Sequence, residues 1–322
     1  MIITNRYEAQ VDEVLPGTLV EIETRGLRPE RHPVTMGSVA EVKGNTLHTT
    51  QWIAGTKEDE PALLALILPV LADKKLTVFH GRFLVPFLAA RAEKTGLVFA
   101  PGPVTDIRKR LLALKPFYPF AGGSRTAMAE QLGLPLPLEP NGEDVARLTR
   151  RLYKRYDPAL ADRIAAHNLL HIRALYGMAV FAARWRRYLQ RTHPFFPAPV
   201  RLHDVRQKGD FITAEFITQN APQAYFSGQS IDLSTRPGRI FLRIESKEGM
   251  ITETMPCLFT GISDFPALTD QTGFHVPKGA FLLRVEDRFL PESLFSLLEA
   301  VIQRLSGSHA GFSEIGNENE KQ

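Results

Sequence analysis

The sequence has little sulfur chemistry to offer. It carries one cysteine, Cys257, in 322 residues, which excludes an intrachain disulfide and any cysteine-only zinc site. That residue reads as an inert buried thiol. No apolar run reaches the length of a membrane span, so no membrane partner is expected. Met1-Ile2-Ile3-Thr4-Asn5-Arg6 lacks the apolar core of a secretory signal, and a cytoplasmic location is the expectation. There is no internal repeat. Beyond Thr192 there is no catalytic motif either, and His275 in that half reads as structural. Nor is there a strong compositional bias, with 44% hydrophobic and 23% charged residues, values ordinary for a globular chain. The length suggests two domains. The formal net charge of +4 permits a polyanionic partner without demanding one.

What is present begins at Glu21-Ile22-Glu23-Thr24-Arg25-Gly26-Leu27, after the apolar lead-in Thr18-Leu19-Val20. On a strand, residues i and i+2 face the same side, so Glu21 and Glu23 project together. Gly26 lets the chain turn away at the strand end. Paired acids so placed either hold a hard divalent cation or stand solvated on an edge strand. Residues 1–17 read as a lead-in. Strands are expected over Thr18–Ile22, Val34–Val42 and Thr46–Ile53, the last two joined by a Lys43-Gly44-Asn45 turn. A helix follows over Glu58–Leu71, with Pro69 expected to end or kink it. Then come a strand at Lys75–Phe79, a helix at Val85–Lys94, a strand near Val98–Val104, and a basic helix at Ile107–Leu114 preceded by Asp106. Ser124 reads as the cap of a short helix to Leu132, Asn141 as the cap of the next, and Asp157-Pro158 opens a long helix to about Tyr188. Between residues 143 and 191, eleven Lys and Arg stand against four acids, a net of +7. That segment is either a docking face for phosphates or a solvated helix face.

A proline-rich junction, His193 to Pro199, separates this half from a mainly β second half. There strands are expected at Val200–Val205, Phe211–Thr218, Arg239–Glu245, Met250–Met255 and Phe281–Val285. Lys208-Gly209-Asp210 and Lys247-Glu248-Gly249 are the expected hairpin turns, and Pro291–Leu305 the terminal helix. The expected domains are residues 1–192, residues 199–305 as a separate mainly β domain and possible site of protein contact, and a disordered tail, 306–322.

Three blocks together carry a resemblance. Glu21-Ile22-Glu23-Thr24-Arg25-Gly26-Leu27 resembles the Asp-Ile-Glu-Thr-Thr-Gly strand of DEDD-type 3′–5′ exonucleases. Val78-Phe79-His80-Gly81-Arg82-Phe83-Leu84-Val85-Pro86-Phe87-Leu88 resembles the Tyr-Asn-Gly-Lys-Ser-Phe-Asp-x-Pro-Phe-Leu block of their YprB-type branch. Ala166-His167-Asn168-Leu169-Leu170-His171-Ile172 resembles that branch's His-Asn-x-x-Asp-Val block. The similarity spans roughly residues 15–185. It implies an α/β fold, with a ribonuclease H-like mixed sheet flanked by helices, ahead of the β-rich half. The family's chemistry is two-metal phosphodiester hydrolysis, in which four carboxylates hold two divalent ions.

Carried over by residue, the resemblance makes Glu21 and Glu23 the first two acids, Leu84 the neighbour of a missing third, and His171 the occupant of the fourth position. His167 matches the family's histidine, and the implied catalytic set is Glu21, Glu23, His167 and His171. His80, Gly81, Arg82 and Asn168 are the implied substrate contacts. Glu21, Glu23 and Asp106 are the acids left for at most a partial metal site, the other option being a single softer ion on Glu21, Glu23 and His171. Two ions of charge +2 about 4 Å apart repel by about 16 kcal/mol at an effective dielectric near 20. Two carboxylates and an imidazole do not balance that repulsion. The expectation is therefore an impaired two-ion centre on a protein that binds single-stranded DNA or RNA and needs no cofactor. The alternative is an active 3′–5′ exonuclease using Mg or Mn.

Overall fold

The computed structural model describes residues 1–307 apart from 137–141, 195, 220, 222 and 271. Two compact units result: Met1–Leu112 with Phe120–Arg184, and Ala113–Pro119 with Trp185–Gln322.

The first unit is built on a six-stranded sheet: β1 (Ile2–Gln10), β2 (Thr18–Thr24), β3 (Val34–Lys43), β4 (Thr46–Ala54), β5 (Leu76–Val78) and β6 (Val104–Asp106), in the order β1-β4-β3-β2-β5-β6. β1 to β4 pair antiparallel, and β5 and β6 join parallel to β2, which makes the sheet mixed. Its helices are α1 (Glu60–Leu71), α2 (Gly81–Lys94), α3 (Ile107–Leu112), α4 (Arg125–Gln131), α5 (Gly142–Lys154) and α6 (Pro158–Tyr188), which runs four residues past the unit's edge. Strand alternation divides the core in two. Val20 and Ile22 of β2 pack with Leu63, Ile67, Phe87 and Leu88 of α1 and α2. On the other face Met36 and Ile53 pack with Val145, Leu148 and Leu152 of α5 and Ile164 and Ala165 of α6. Glu21 and Glu23, one residue out of step with Val20 and Ile22, therefore belong to the α6 face.

Several expectations need correcting. Residues 2–10 are not a lead-in but an edge strand paired along its length with β4. The end of α1 is not among these corrections: it falls at Leu71 as expected, two residues after Pro69. The second helix starts at Gly81, four residues earlier than expected, and of the strand expected at 98–104 only Val104 onward is strand. The expected cap Asn141 lies outside the described residues, as does the tail from 308.

A buried ion pair ties α1 to α2. Glu60 and Arg91 are 4% and 6% exposed. Glu60 Oε1 accepts from Arg91 Nε and from the Val34 amide, both at 2.8 Å, and Oε2 pairs with Arg91 Nη2. Arg91 Nη1 also donates to the Pro29 carbonyl at 2.8 Å. One guanidinium thus anchors the loop that leaves β2.

The second unit holds two antiparallel sheets and a terminal helix. One sheet is ordered β10-β11-β12-β9-β8-β7, from β7 (Gln190–Arg191), β8 (Val200–Lys208), β9 (Phe211–Ile217), β10 (Tyr225–Ser227), β11 (Ile231–Arg236) and β12 (Arg239–Glu245). The other is β13 (Lys247–Thr252), β14 (Met255–Gly261), β15 (Ala280–Val285) and β16 (Arg288–Phe289), in chain order. α7 (Pro291–Gly307) sets Phe295 edge-on against Phe216 of β9, with ring centroids 5.5 Å apart. The Gly209 turn forms as expected, with φ +57°. Lys247-Glu248-Gly249 does not turn but opens β13, and the chain reverses at Glu253-Thr254.

Candidate active site

Glu21 stands opposite Ser38 of β3, which stands opposite Gln51 of β4. The three form a polar row across three strands on the α6 face. Directly after Glu23 the β2–β3 register shifts by a bulge, a device that ends pairing and re-aims side chains beside functional sites. Gly26 leaves room for the His32 ring: a Cβ there would come within 2.6 Å of it, and the ring would have to shift.

α6 supplies the other wall. His167 and His171, one helical turn apart, bring their rings to 4.1 Å between centroids. His167 Nε2 lies 3.9 Å from Glu23 Oε1. Ligand atoms of Glu23, His167 and His171 all fall within 4.8 Å of one another. Asn168 between them is fully buried. Its amide donates to Glu23 Oε1 at 3.1 Å, and its carbonyl accepts from Ser38 Oγ and from Gln51 Nε2 at 3.1 Å. Gln51 Nε2 also donates to the Ala165 carbonyl at 3.2 Å. Asn168, expected to meet substrate, is thus engaged in holding Glu23 in place. Asn168→Ala would strip partners from Ser38 and Glu23 at once, each a loss of about 1–3 kcal/mol. A urea-unfolding loss of about 3 kcal/mol is expected; a loss below about 1 kcal/mol would contradict this network.

The pocket also contains a residue that sequence inspection passed over. Arg125, the first residue of α4, is held by the Ser124 cap, whose Oγ accepts from the Ala127 amide at 3.2 Å. Arg125 Nη2 lies 2.7 Å from Glu21 Oε1 and 2.8 Å from Oε2. Its Nη1 is 2.7 Å from His171 Nδ1, and its guanidinium lies 5.0 Å from the Phe79 ring centre. A guanidinium only donates, so Nδ1 accepts and the His171 proton sits on Nε2. Burial pushes the Glu21 carboxyl above its usual range against the pull of Arg125. Burial also lifts Glu23 to about 7, opposed by the Asn168 hydrogen bond. Burial, then Arg125 and His167, hold His171 down at about 2, which keeps its imidazole neutral.

The remaining expected residues lie elsewhere on the first unit. His80 is exposed in a left-handed conformation, φ +65°, at the start of α2, and Arg82 is exposed two residues on. Leu84 is 2% exposed within the α1–α2 core. Asp106, expected as a make-up ligand, stands two strands from β2. Its Oδ2 accepts from the Gly81 amide at 2.9 Å and its Oδ1 from the Lys109 amide at 3.3 Å. It caps α2 and α3 instead of joining the acid pair.

The family model of the RNase H superfamily matches residues 19–182, the span that contains every residue of this pocket. The chain belongs to the RNase H superfamily. Among solved structures it is similar to an apo form of a nuclease, at 18% identity and a TM-score of 0.27, over 54% of this chain and 85% of that one. It is also similar to Brucella melitensis NrnC with bound Mg2+, at 14% and 0.26, over 52% and 83%. A third is exonuclease I in complex with inhibitor BCBP, at 10% and 0.33, over 64% and 56%. No curated protein sequence matches it.

Hard divalent ions take oxygen ligands. Of the four positions that the resemblance assigns, the Glu21 carboxylate is engaged by Arg125 and the Glu23 carboxylate by Asn168, Leu84 is apolar core, and His171 offers an imidazole, a set poor in the oxygen ligands that a pair of such ions takes.

Proposed function

We propose that this chain is a nucleic-acid-binding protein of the YprB-type branch, derived from DEDD 3′–5′ exonucleases, in which two-ion hydrolysis is impaired. The observation that supports this reading is Arg125. Its guanidinium engages the carboxylate of Glu21, which the resemblance makes the first metal ligand, and the imidazole of His171, which occupies the position of the fourth. No magnesium or manganese is then needed for the protein's role, which is binding.

The surface that supports nucleic-acid binding is α5. Val145, Leu148, Thr149 and Leu152 are buried. At 100° per residue, Arg147, Arg150, Arg151 and Lys154 share an arc of about 100° on the opposite side, over about 10 Å of helix. All four are exposed. Acids sit only in the first turn, at Glu143 and Asp144, where they suit the helix dipole. Such a stripe matches a phosphate backbone.

The test is incubation of the chain with single-stranded DNA and RNA, with and without Mg2+ or Mn2+. Binding that weakens steeply with salt, without turnover, is expected. Metal-dependent cleavage abolished by Glu23→Gln would establish the active exonuclease instead. Failure to bind either polymer would remove the nucleic-acid reading altogether.

A further inference from the structure

Glu23, His167 and His171 form a donor set of another kind. One carboxylate and two imidazoles suit zinc, cobalt or a related ion, and suit magnesium poorly. The helical spacing of the two histidines places both on the β2-facing side of α6, with Glu23 across from them. Four-coordinate zinc with bonds of about 2.0–2.1 Å keeps its ligand atoms about 3.4 Å apart. The present spread, up to 4.8 Å, is too wide by rather more than an ångström, a gap that side-chain rotation can close.

Arg125 stands in the way. A metal on His171 Nε2 requires a hydrogen on Nδ1, donated outward to an acceptor. Arg125 faces Nδ1 with a donor and has no acceptor to offer. A metal on Nδ1 would occupy the lone pair that Arg125 now uses. By either nitrogen, His171 serves the guanidinium or the ion and not both.

We propose that Arg125 and a single imidazole-preferring divalent cation are alternative occupants of this pocket, the cation being held by Glu23, His167 and His171. Arg125 lies at the start of a seven-residue helix preceded by Gly122-Gly123, and its departure leaves the Asn168 contact to Glu23 intact.

Cobalt(II) titration followed by visible absorption tests this. Arg125→Ala is expected to bind one cobalt per chain at least tenfold more tightly than the unaltered protein. Adding His171→Ala or His167→Ala to that variant is expected to reverse the gain. Arg125→Met, which keeps an apolar stem over Phe79, serves if Arg125→Ala does not fold. Equal affinity in the unaltered chain and both Arg125 variants would overturn the proposal. So would undiminished binding after loss of either histidine, or displacement of cobalt by equimolar magnesium. Cobalt binding is read without nucleic acid, so its failure and a failure to bind DNA or RNA are separate results.

Discussion

Replacing Arg91 with alanine is expected to destabilise the first unit by about 3–5 kcal/mol, the range for removing one partner of a buried ion pair. Glu60 would keep its bond from the Val34 amide but lose the guanidinium that matches its charge. The Pro29 carbonyl would lose its donor as well. The double variant Arg91→Met with Glu60→Gln removes both charges and keeps an acceptor for Val34, so its loss should be clearly smaller. The chain's two tryptophans make the measurement clean, because Trp52 lies in the first unit and Trp185 in the second. In a Trp185→Phe background, urea unfolding followed by fluorescence reports the first unit alone. A loss below about 1 kcal/mol for Arg91→Ala would show that the pair adds little.

Neutralising two charges on α5, Arg150→Gln with Arg151→Gln, is expected to weaken single-strand binding about 25-fold at 0.1 M salt. Each phosphate contact contributes a slope of about 0.7 in log affinity against log salt, hence about fivefold at that concentration. The salt slope should also become shallower by about 1.4. Both side chains are exposed, opposite the buried Val145–Leu152 stripe, so the folded unit should be unaffected. Unchanged affinity and slope, by fluorescence anisotropy on a labelled oligonucleotide, would move the binding face away from this helix.

Strand alternation was enough to put Glu21 and Glu23 on one side, and helical spacing enough to align His167 with His171. The turn at Gly209 was equally readable, because that signal is local. β1 was not: as a half-exposed edge strand it carries Asn5, Arg6 and Glu8, a composition that resembles a loop. β13 misled in the same way, since its exposed Lys247 and Glu248 before a glycine look like a turn. The Arg125–Glu21 pair is separated by 104 residues, and the only local signal at that position was the Ser124 cap. Asn168 looked like a residue for contacting substrate because a motif cannot report burial. The arginine count over 143–191 was correct yet merged two groups, since Arg186, Arg187 and Arg191 belong to the second compact unit.

A positive charge supplied by the chain itself differs from one recruited from solution. Arg125 is synthesised in one-to-one ratio with Glu21 and arrives beside it as the unit folds. No chelator can strip it, and no shortage of trace metal can leave Glu21 without a counter-charge.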